Sequence, residues 1–319
     1  MVKLPWIGGL RAACASARIV WCAASGKTVY ATSLRRLAEP LIDEIIAEPR
    51  LDRGAVRPWG APPFDGRRFG MVIDTQSDWR HTLGLRRAAR GVFISRTAGF
   101  LFSSRRPREA APADIGGRIG ALFSLAAGRA VRPTNPWKDD IAALRAAEPI
   151  LPRGPTYIGL APGAGGREKR WPLERYIELG RRQLGAGRMP VFFLGPGEAD
   201  EAAIIASALP GAVLPDTSAG DDAEVSGPRL FIALASRLSA AVANDGGPGH
   251  MLAAGGAPLV SLQRSARTAV KYRPVAPRLE LIIATDGEMA SITVDASAAA
   301  LDRLARAPEP HIAAPAETA

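Results

Sequence analysis

The sequence predicts an α/β fold, with parallel sheets and crossover helices divided between two domains. Three observations carry this reading. Short β-rich runs alternate with helical patterns along most of the chain, as βαβ units require. In the second half, three loops, two of them rich in glycine, each follow directly on an apolar run, where such units bind their ligands. The length of 319 residues, 47% of them hydrophobic, is enough for two cores, because single domains usually run to about 100–200 residues.

The β-rich runs are Ala17–Ala23, Phe69–Asp74, Thr156–Ala161, Pro190–Leu194, Ser239–Asn244 and Pro258–Leu262. After Pro172 a helix is predicted from its period, with Leu173, Tyr176, Ile177 and Leu184 on one stripe and Glu174, Arg175, Glu178 and Arg181 off it. Between about Pro133 and Pro155 the text turns to Pro, Asn, Asp and Arg around a short Ala-rich helical piece, Asp139–Ala147. The expected division is therefore a first domain over 1–150, a second over 155–307, and a frayed tail over 308–319 with no periodicity.

Composition narrows the function. The net charge of +10, from 41 Lys and Arg against 31 Asp and Glu, favours an anionic partner such as a diphosphate, a phosphorylated glycolipid, an anionic membrane surface or nucleic acid. Two arginine clusters, Arg86, Arg87, Arg90 and Arg105, Arg106, Arg108, read either as the lining of an acceptor cleft or as a solvated basic face. Cys14 and Cys22 form no metal or redox spacing, so a reduced cytosolic compartment fits and no metal is expected. No run of about 18 apolar residues and no secretion signal is present. A nucleic-acid partner is not expected either, since no helix-turn-helix text, RNP-like strand or zinc spacing occurs.

Tyr157 to Pro172 carries the most chemistry: an apolar strand runs into Gly163, Ala164, Gly165 and Gly166, then Lys169, then the Trp171-Pro172 start of a helix. Glycines let backbone N–H groups approach a ligand closely, the helix start adds positive partial charge and Lys169 a full one, which suits a phosphate or diphosphate. An ordinary strand-to-helix turn is the alternative. The P-loop spacing fails, because Glu168 stands where the second glycine belongs, and G-x-G-x-x-G is absent, which counts against a P-loop NTPase and a dinucleotide oxidoreductase. A second loop, Gly195-Pro196-Gly197-Glu198, offers a carboxylate for ribose hydroxyls, or simply an acid in the first turn of the next helix. The third, Asn244-Asp245-Gly246-Gly247-Pro248-Gly249-His250, offers Asp245 for sugar hydroxyls and His250 for phosphate oxygens, with a capping Asp and an incidental His as the alternative. In a doubly wound sheet all three converge on one crevice.

Taken in order, Leu160-Ala-Pro-Gly-Ala, Lys169-Arg-Trp-Pro172, Leu194-Gly-Pro-Gly-Glu198 and Asn244-Asp-Gly-Gly-Pro-Gly-His250 resemble glycosyltransferase family nine, the ADP-heptose:lipopolysaccharide heptosyltransferases. Leu4-Pro-Trp-Ile-Gly-Gly-Leu-Arg11, Ala17-Arg-Ile-Val20 and Val72-Ile-Asp-Thr-Gln76 extend the resemblance into the first half. It implies a GT-B architecture, two Rossmann-like domains facing a central cleft, with the donor on the C-terminal domain and the acceptor on the N-terminal one. It also implies an inverting, metal-independent transfer of heptose or a related sugar from an ADP-sugar donor, with no further cofactor, to the lipopolysaccharide inner core, in the cytoplasm or peripherally on the inner membrane's cytoplasmic face. Carried over by position, Lys169 stabilises the leaving diphosphate, Glu198 holds ribose, Asp245 the donor sugar and His250 the phosphate region, with Gly163, Ala164, Gly165, Gly246 and Gly247 as close-approach positions. The family opens with a β-strand and a Gly-Asp motif whose Asp is the proposed base; here both would precede Met1, so the first sheet is expected to lack its first strand and Met1 to be an internal methionine of a longer chain. Asp74 is the nearby substitute base. Leu262-Gln-Arg-Ser265 replaces the family's usual text beside the nucleobase, and Ala164 and Gly165 its loop hydroxyls. A non-catalytic member that binds the nucleotide sugar without turnover is the alternative function.

Overall fold

The computed structural model describes residues 1–23, 28–47, 62–76, 78–216 and 225–306; the predicted tail 308–319 lies outside them. The strands are β1 (Val20–Cys22), β2 (Glu44–Ile46), β3 (Phe69–Asp74), β4 (Ala89–Ser95), β5 (Tyr157–Ala161), β6 (Met189–Phe192), β7 (Leu238–Asn244), β8 (Leu259–Gln263) and β9 (Leu279–Ile283). Every pairing among them is parallel. The six predicted runs all appear, shifted by a residue or more at most ends. Strands β2, β4 and β9 were not among them.

In the second half the order is β6-β5-β7-β8-β9, with a single parallel bridge from Val191 to Val213 on the outer side of β6. The chain leaves β5 for β6 on one side and returns to β7 on the other, so the carboxyl ends of β5 and β7 flank a topological switch point. Strand β5 is buried along its whole length, as a central parallel strand with helices on both faces must be. Its alternate side chains serve two cores. Ile158 and Leu160 pack with Trp171, Tyr176 and Leu179, at or in the helix Leu173–Gly185, and with Leu301 and Leu304 of the helix Val294–Arg306. Tyr157 and Ala161 pack with Phe231 and Leu234 of the helix Gly227–Ala235, and with Leu252 of the helix Gly247–Ala254. The helix Ile141–Ala147 joins this second core through Ala143 and Ala147, and Asp140 at its start pairs with Arg229 at 2.8 Å.

The first half holds two separate parallel pairs, β1-β2 and β3-β4. A cavity of about 650 Å³ separates them, lined by all of β1 and all of β3. At one end Arg67 donates to both oxygens of Glu44, at 2.5 and 2.8 Å, and Arg18 adds a third bond at 3.2 Å. At the other, Lys3 Nζ donates to Thr75 Oγ1 at 3.1 Å and lies 5.1 Å from the centre of the Trp21 ring. Both bridges join like ends of β1 and β3, so the two strands run the same way with their facing edges unpaired among the described residues. Among the described residues no strand bridges β1 and β3.

Beneath it, the helix Leu4–Ala13 crosses the helix Ile115–Ala127 so closely that a Cβ on Gly120 would lie 2.1 Å from the Trp6 ring. Leu4, Ile7, Leu37, Ile94, Ile119, Leu122 and Phe123 form this third core, and Ile232, Met251 and Ala254 of the second half pack against it. The Asn135 amide also donates to the Ala254 carbonyl. The halves therefore meet on the helix Gly227–Ala235 and on the helix Gly247–Ala254, which starts at the switch point. No described helix is long and apolar enough to cross a membrane.

Candidate functional site

The loop after β5 is anchored before it is free to bind anything. Asn244, the last residue of β7, donates through Nδ2 to the Pro162 carbonyl at 2.7 Å and accepts from the Trp171 N–H at 3.1 Å through Oδ1. One buried amide thus holds both ends of the glycine-rich segment to the neighbouring strand. Trp171, itself buried, donates through its indole N–H to the Ile292 carbonyl at 2.9 Å and packs edge-on against Tyr176. What remains between these anchors, from Gly163 to Lys169, has its shape fixed at both ends.

Lys169 Nζ lies 3.2 Å from Asp245 Oδ2, joining the loop after β5 to the loop after β7 across the switch point. The Asp245 side chain is 8% exposed against 34% for Lys169, so the carboxylate is nearly enclosed while its partner reaches solvent. A carboxylate removed from water needs a countercharge; Lys169 supplies it here, with its own side chain partly exposed. Beside them, a Cβ on Gly246 would sit 3.6 Å from the Ala164 Cα, so the two loops touch.

Glu198 brings in the third loop. Its Oε2 accepts from the Gly195 N–H at 2.7 Å, and a Cβ on Gly163 would fall 2.3 Å from its Oε1. Any side chain at Gly163 would have to push this carboxylate aside. Arg170 stands 3.9 Å from Glu198 and donates to Glu201. The structure thus brings together Gly163, Ala164, Lys169, Glu198, Asp245 and Gly246. A side chain added at Gly165 or Gly247 would meet nothing within 4 Å, so backbone is exposed at both.

His250 is placed differently from its neighbours in the motif. It lies inside the helix Gly247–Ala254 and makes no hydrogen bond through its ring to a described residue. Burial, and after it the positive Met1 amino group, lower its pKa from 6.5 to about 4. At neutral pH it is uncharged, able to offer one N–H but no cation. Asp74 is also unlike a base: it is 1% exposed, its Oδ2 accepts from Thr82 at 2.6 Å and Ser95 at 2.8 Å, and its Oδ1 accepts from the Gln76 N–H at 2.9 Å. Those three bonds tie the carboxylate into a network of hydroxyls and backbone at the end of β3.

Tyr272 escaped the sequence reading. Its ring centre lies 5.7 Å from Lys169 Nζ and 4.9 Å from Lys271 Nζ, so it flanks the cationic end of the site from the loop after the helix Ala266–Lys271. Nothing in the spacing around it marks it, because the contact is made across 103 residues of chain (272 − 169). Among the described residues no group of three or more His, Cys, Asp or Glu is arranged to hold a metal ion.

The chain matches the model of glycosyltransferase family 9 (heptosyltransferase) over residues 66–299. Comparison with curated protein sequences gives no match. Among solved structures, the fold is shared with E. coli ADP-heptose LPS heptosyltransferase II, at a TM-score of 0.61 and 18% identity, covering 95% of this chain and 94% of the other. A glycosyl transferase family 9 protein from Veillonella parvula aligns with a TM-score of 0.63 at 18% identity, over 95% and 92% of the two chains. The E. coli heptosyltransferase WaaC with ADP aligns with a TM-score of 0.64 at 16% identity, over 95% of each. With the family pattern running through both halves and the whole fold shared with these enzymes, the chain belongs to glycosyltransferase family 9 and is a glycosyltransferase of GT-B architecture.

Proposed function

We propose that the protein moves heptose, or a related sugar, from an ADP-sugar donor to the inner core of lipopolysaccharide, with inversion and without a metal or further cofactor. The observation that carries this reading is the Lys169–Asp245 pair at the switch point, with Gly165 and Gly247 leaving backbone open around it. Lys169 and loop N–H groups take the diphosphate, exchanging the Asp245 carboxylate for a more highly charged partner. Asp245, released from the ammonium, accepts hydrogen bonds from the sugar; Glu198 lies towards the ribose; His250 gives a neutral N–H to the phosphate region. In transfer, the acceptor oxygen forms a bond to the anomeric carbon as the bond to the diphosphate breaks, the acceptor proton passes to a base, and Lys169 stabilises the charge on the departing ADP. The acceptor, a glycolipid, is met at the cytoplasmic face of the inner membrane, and nucleic acid is not a partner.

A second reading, donor binding without turnover, is favoured by one observation. Of the carboxylates discussed above, Asp245 is salt-bridged, Glu198 is clipped to its own loop and Asp74 is enclosed by hydroxyls. Calorimetric titration with ADP, GDP and UDP, followed by an assay of ADP release from an ADP-sugar with acceptor, separates the cases. ADP-selective binding with acceptor-dependent release supports transfer; binding without release supports the second reading; a folded protein that binds none of the three nucleotides contradicts both.

A further inference from the structure

A second cavity, of about 710 Å³, lies between the segment after β4 and the helix Ile115–Ala127, and shares no residue with the loops at Gly163, Glu198 or Asp245. Its lining carries Arg96, Arg106 and Arg108, with a floor of Phe100 and Leu125 over the buried Leu122. These three guanidinium groups have no hydrogen-bond or ion-pair partner among the described residues. The neighbouring Arg105 is already engaged, donating to the Leu125 and Ala126 carbonyls at 3.0 and 2.8 Å, where it caps the helix. Glu109 is the one carboxylate in the lining, so the cavity is strongly positive.

The backbone beside it is strained. Ala98, Gly99 and Phe100 follow one another in left-handed conformations, with φ of 50°, 63° and 67°, which two residues bearing a Cβ adopt only at a cost. That turn sets Phe100 into the cavity and leaves Leu101 61% exposed beside it. The edge of β4 is closed to strand addition, because the Ser104 and Ser103 hydroxyls accept from the Phe93 and Ser95 N–H groups at 3.0 and 2.8 Å.

We infer that this cavity docks the protein on a membrane surface by binding the phosphate of an anionic phospholipid. Arginine forks match phosphate oxygens in pairs, and weak hydration lets them work at a partly apolar surface. Phe100 and Leu125, both partly exposed, suit the glycerol and upper acyl region, with Leu101 entering the interface beside them. A soluble phosphate would use the arginines and leave the apolar floor uncovered. A single-stranded nucleic acid would want stacking faces, and Phe100 is the only aromatic in the lining. The inference rests on the proposed function only for its biological sense, a membrane-borne acceptor; the donor site enters nowhere into it.

The test is flotation of the full chain with phosphatidylcholine vesicles, with and without phosphatidylglycerol, at low ionic strength. The wild type, Arg106→Gln/Arg108→Gln, Leu101→Asp and the equal-charge control Arg145→Gln/Arg153→Gln are compared, each checked for an unchanged melting temperature. The expected result is binding that needs phosphatidylglycerol, falls roughly fivefold per arginine removed from the cavity, falls with Leu101→Asp, and stays near wild type in the control. Equal losses in both arginine pairs would reduce the effect to net charge and overturn the site. Equal binding to vesicles without phosphatidylglycerol would overturn the phosphate assignment. DNA binding lost in the cavity variant, with no vesicle binding, would move the site to nucleic acid. ADP titration of the same proteins reads the donor site independently, so failure of one leaves the other standing.

Discussion

Removing Lys169 should do more harm to nucleotide binding than the loss of one contact, because of what it leaves behind. Asp245 is nearly enclosed and its countercharge is the ammonium 3.2 Å away. A charge-assisted bond to the diphosphate contributes about 1.5–3 kcal/mol, a factor of roughly 10–150 in affinity. The uncovered carboxylate then adds repulsion: two unit charges about 4 Å apart interact by about 4 kcal/mol at an effective dielectric of 20, before screening reduces it. Lys169→Ala should therefore weaken ADP about a hundredfold or more. Asp245→Asn has the opposite sign for ADP itself, since it frees the ammonium from a competitor; affinity should rise several-fold while sugar transfer falls. The double variant should bind ADP better than Lys169→Ala alone, a coupling that calorimetric titration of all four proteins measures directly. The reasoning is refuted if Lys169→Ala leaves ADP binding unchanged, or if Asp245→Asn weakens it as much as Lys169→Ala does.

Three further outcomes follow from particular contacts. Gly163→Ala should displace the Glu198 carboxylate that lies where its Cβ would go, weakening ADP about tenfold, an effect of the size expected for one or two lost hydrogen bonds; because Glu198→Ala removes the same carboxylate, the double variant should be no worse than either single one, and additive losses would count against the contact. His250 has a folded pKa near 4 against 6.5 unfolded, so the unfolded chain binds more protons between those values; stability is full above about pH 6.5 and is lost as pH falls towards 4, by at most about 3 kcal/mol. Melting curves over that range should show the slope in the wild type and flatten in His250→Asn; an unchanged slope assigns it to other groups. Joining an apolar β-branched segment of about six residues to the N-terminus should let it pair with β1 and β3 across the cavity and raise the melting temperature by several degrees, since each kcal/mol is worth about 2–4 °C at this size; no change would mean the cavity does not accept a strand.

Legibility in the sequence followed the distance over which each feature is decided. The glycine loops and the helix Leu173–Gly185 were readable because strand, loop and helix start lie in one continuous stretch, and because the period of Tyr176 and Ile177 states which face is buried. Strands β2 and β9 were not, since Glu44-Ile-Ile and Leu279-Glu-Leu-Ile-Ile are short and carry a charge in the run. Strand β4 was masked by arginines: Arg86 and Arg87 end a helix and Arg90 lies on the strand itself, and together they read as a surface cluster. At the site, the sequence singled out residue types, but their company was not visible. That Asn244 pins both ends of a loop 73 to 82 residues earlier, that Glu198 lies on Gly163, and that Tyr272 flanks Lys169 are consequences of strand order, which no local spacing encodes. Asp74 shows the converse: a carboxylate at a strand end suggested chemistry, and only the hydroxyls of Thr82 and Ser95 around it show a structural network.

The central claim is that the loops after β5, β6 and β7 form one nucleoside-diphosphate site, and a crystal structure of the chain with ADP tests it most directly. The account predicts the diphosphate against the Gly163–Lys169 segment, Lys169 Nζ turned from Asp245 onto a phosphate oxygen, and the first turn of the helix Gly247–Ala254 facing the same group. ADP bound elsewhere, or bound with the Lys169–Asp245 pair still closed and no phosphate contact to either loop, would contradict it.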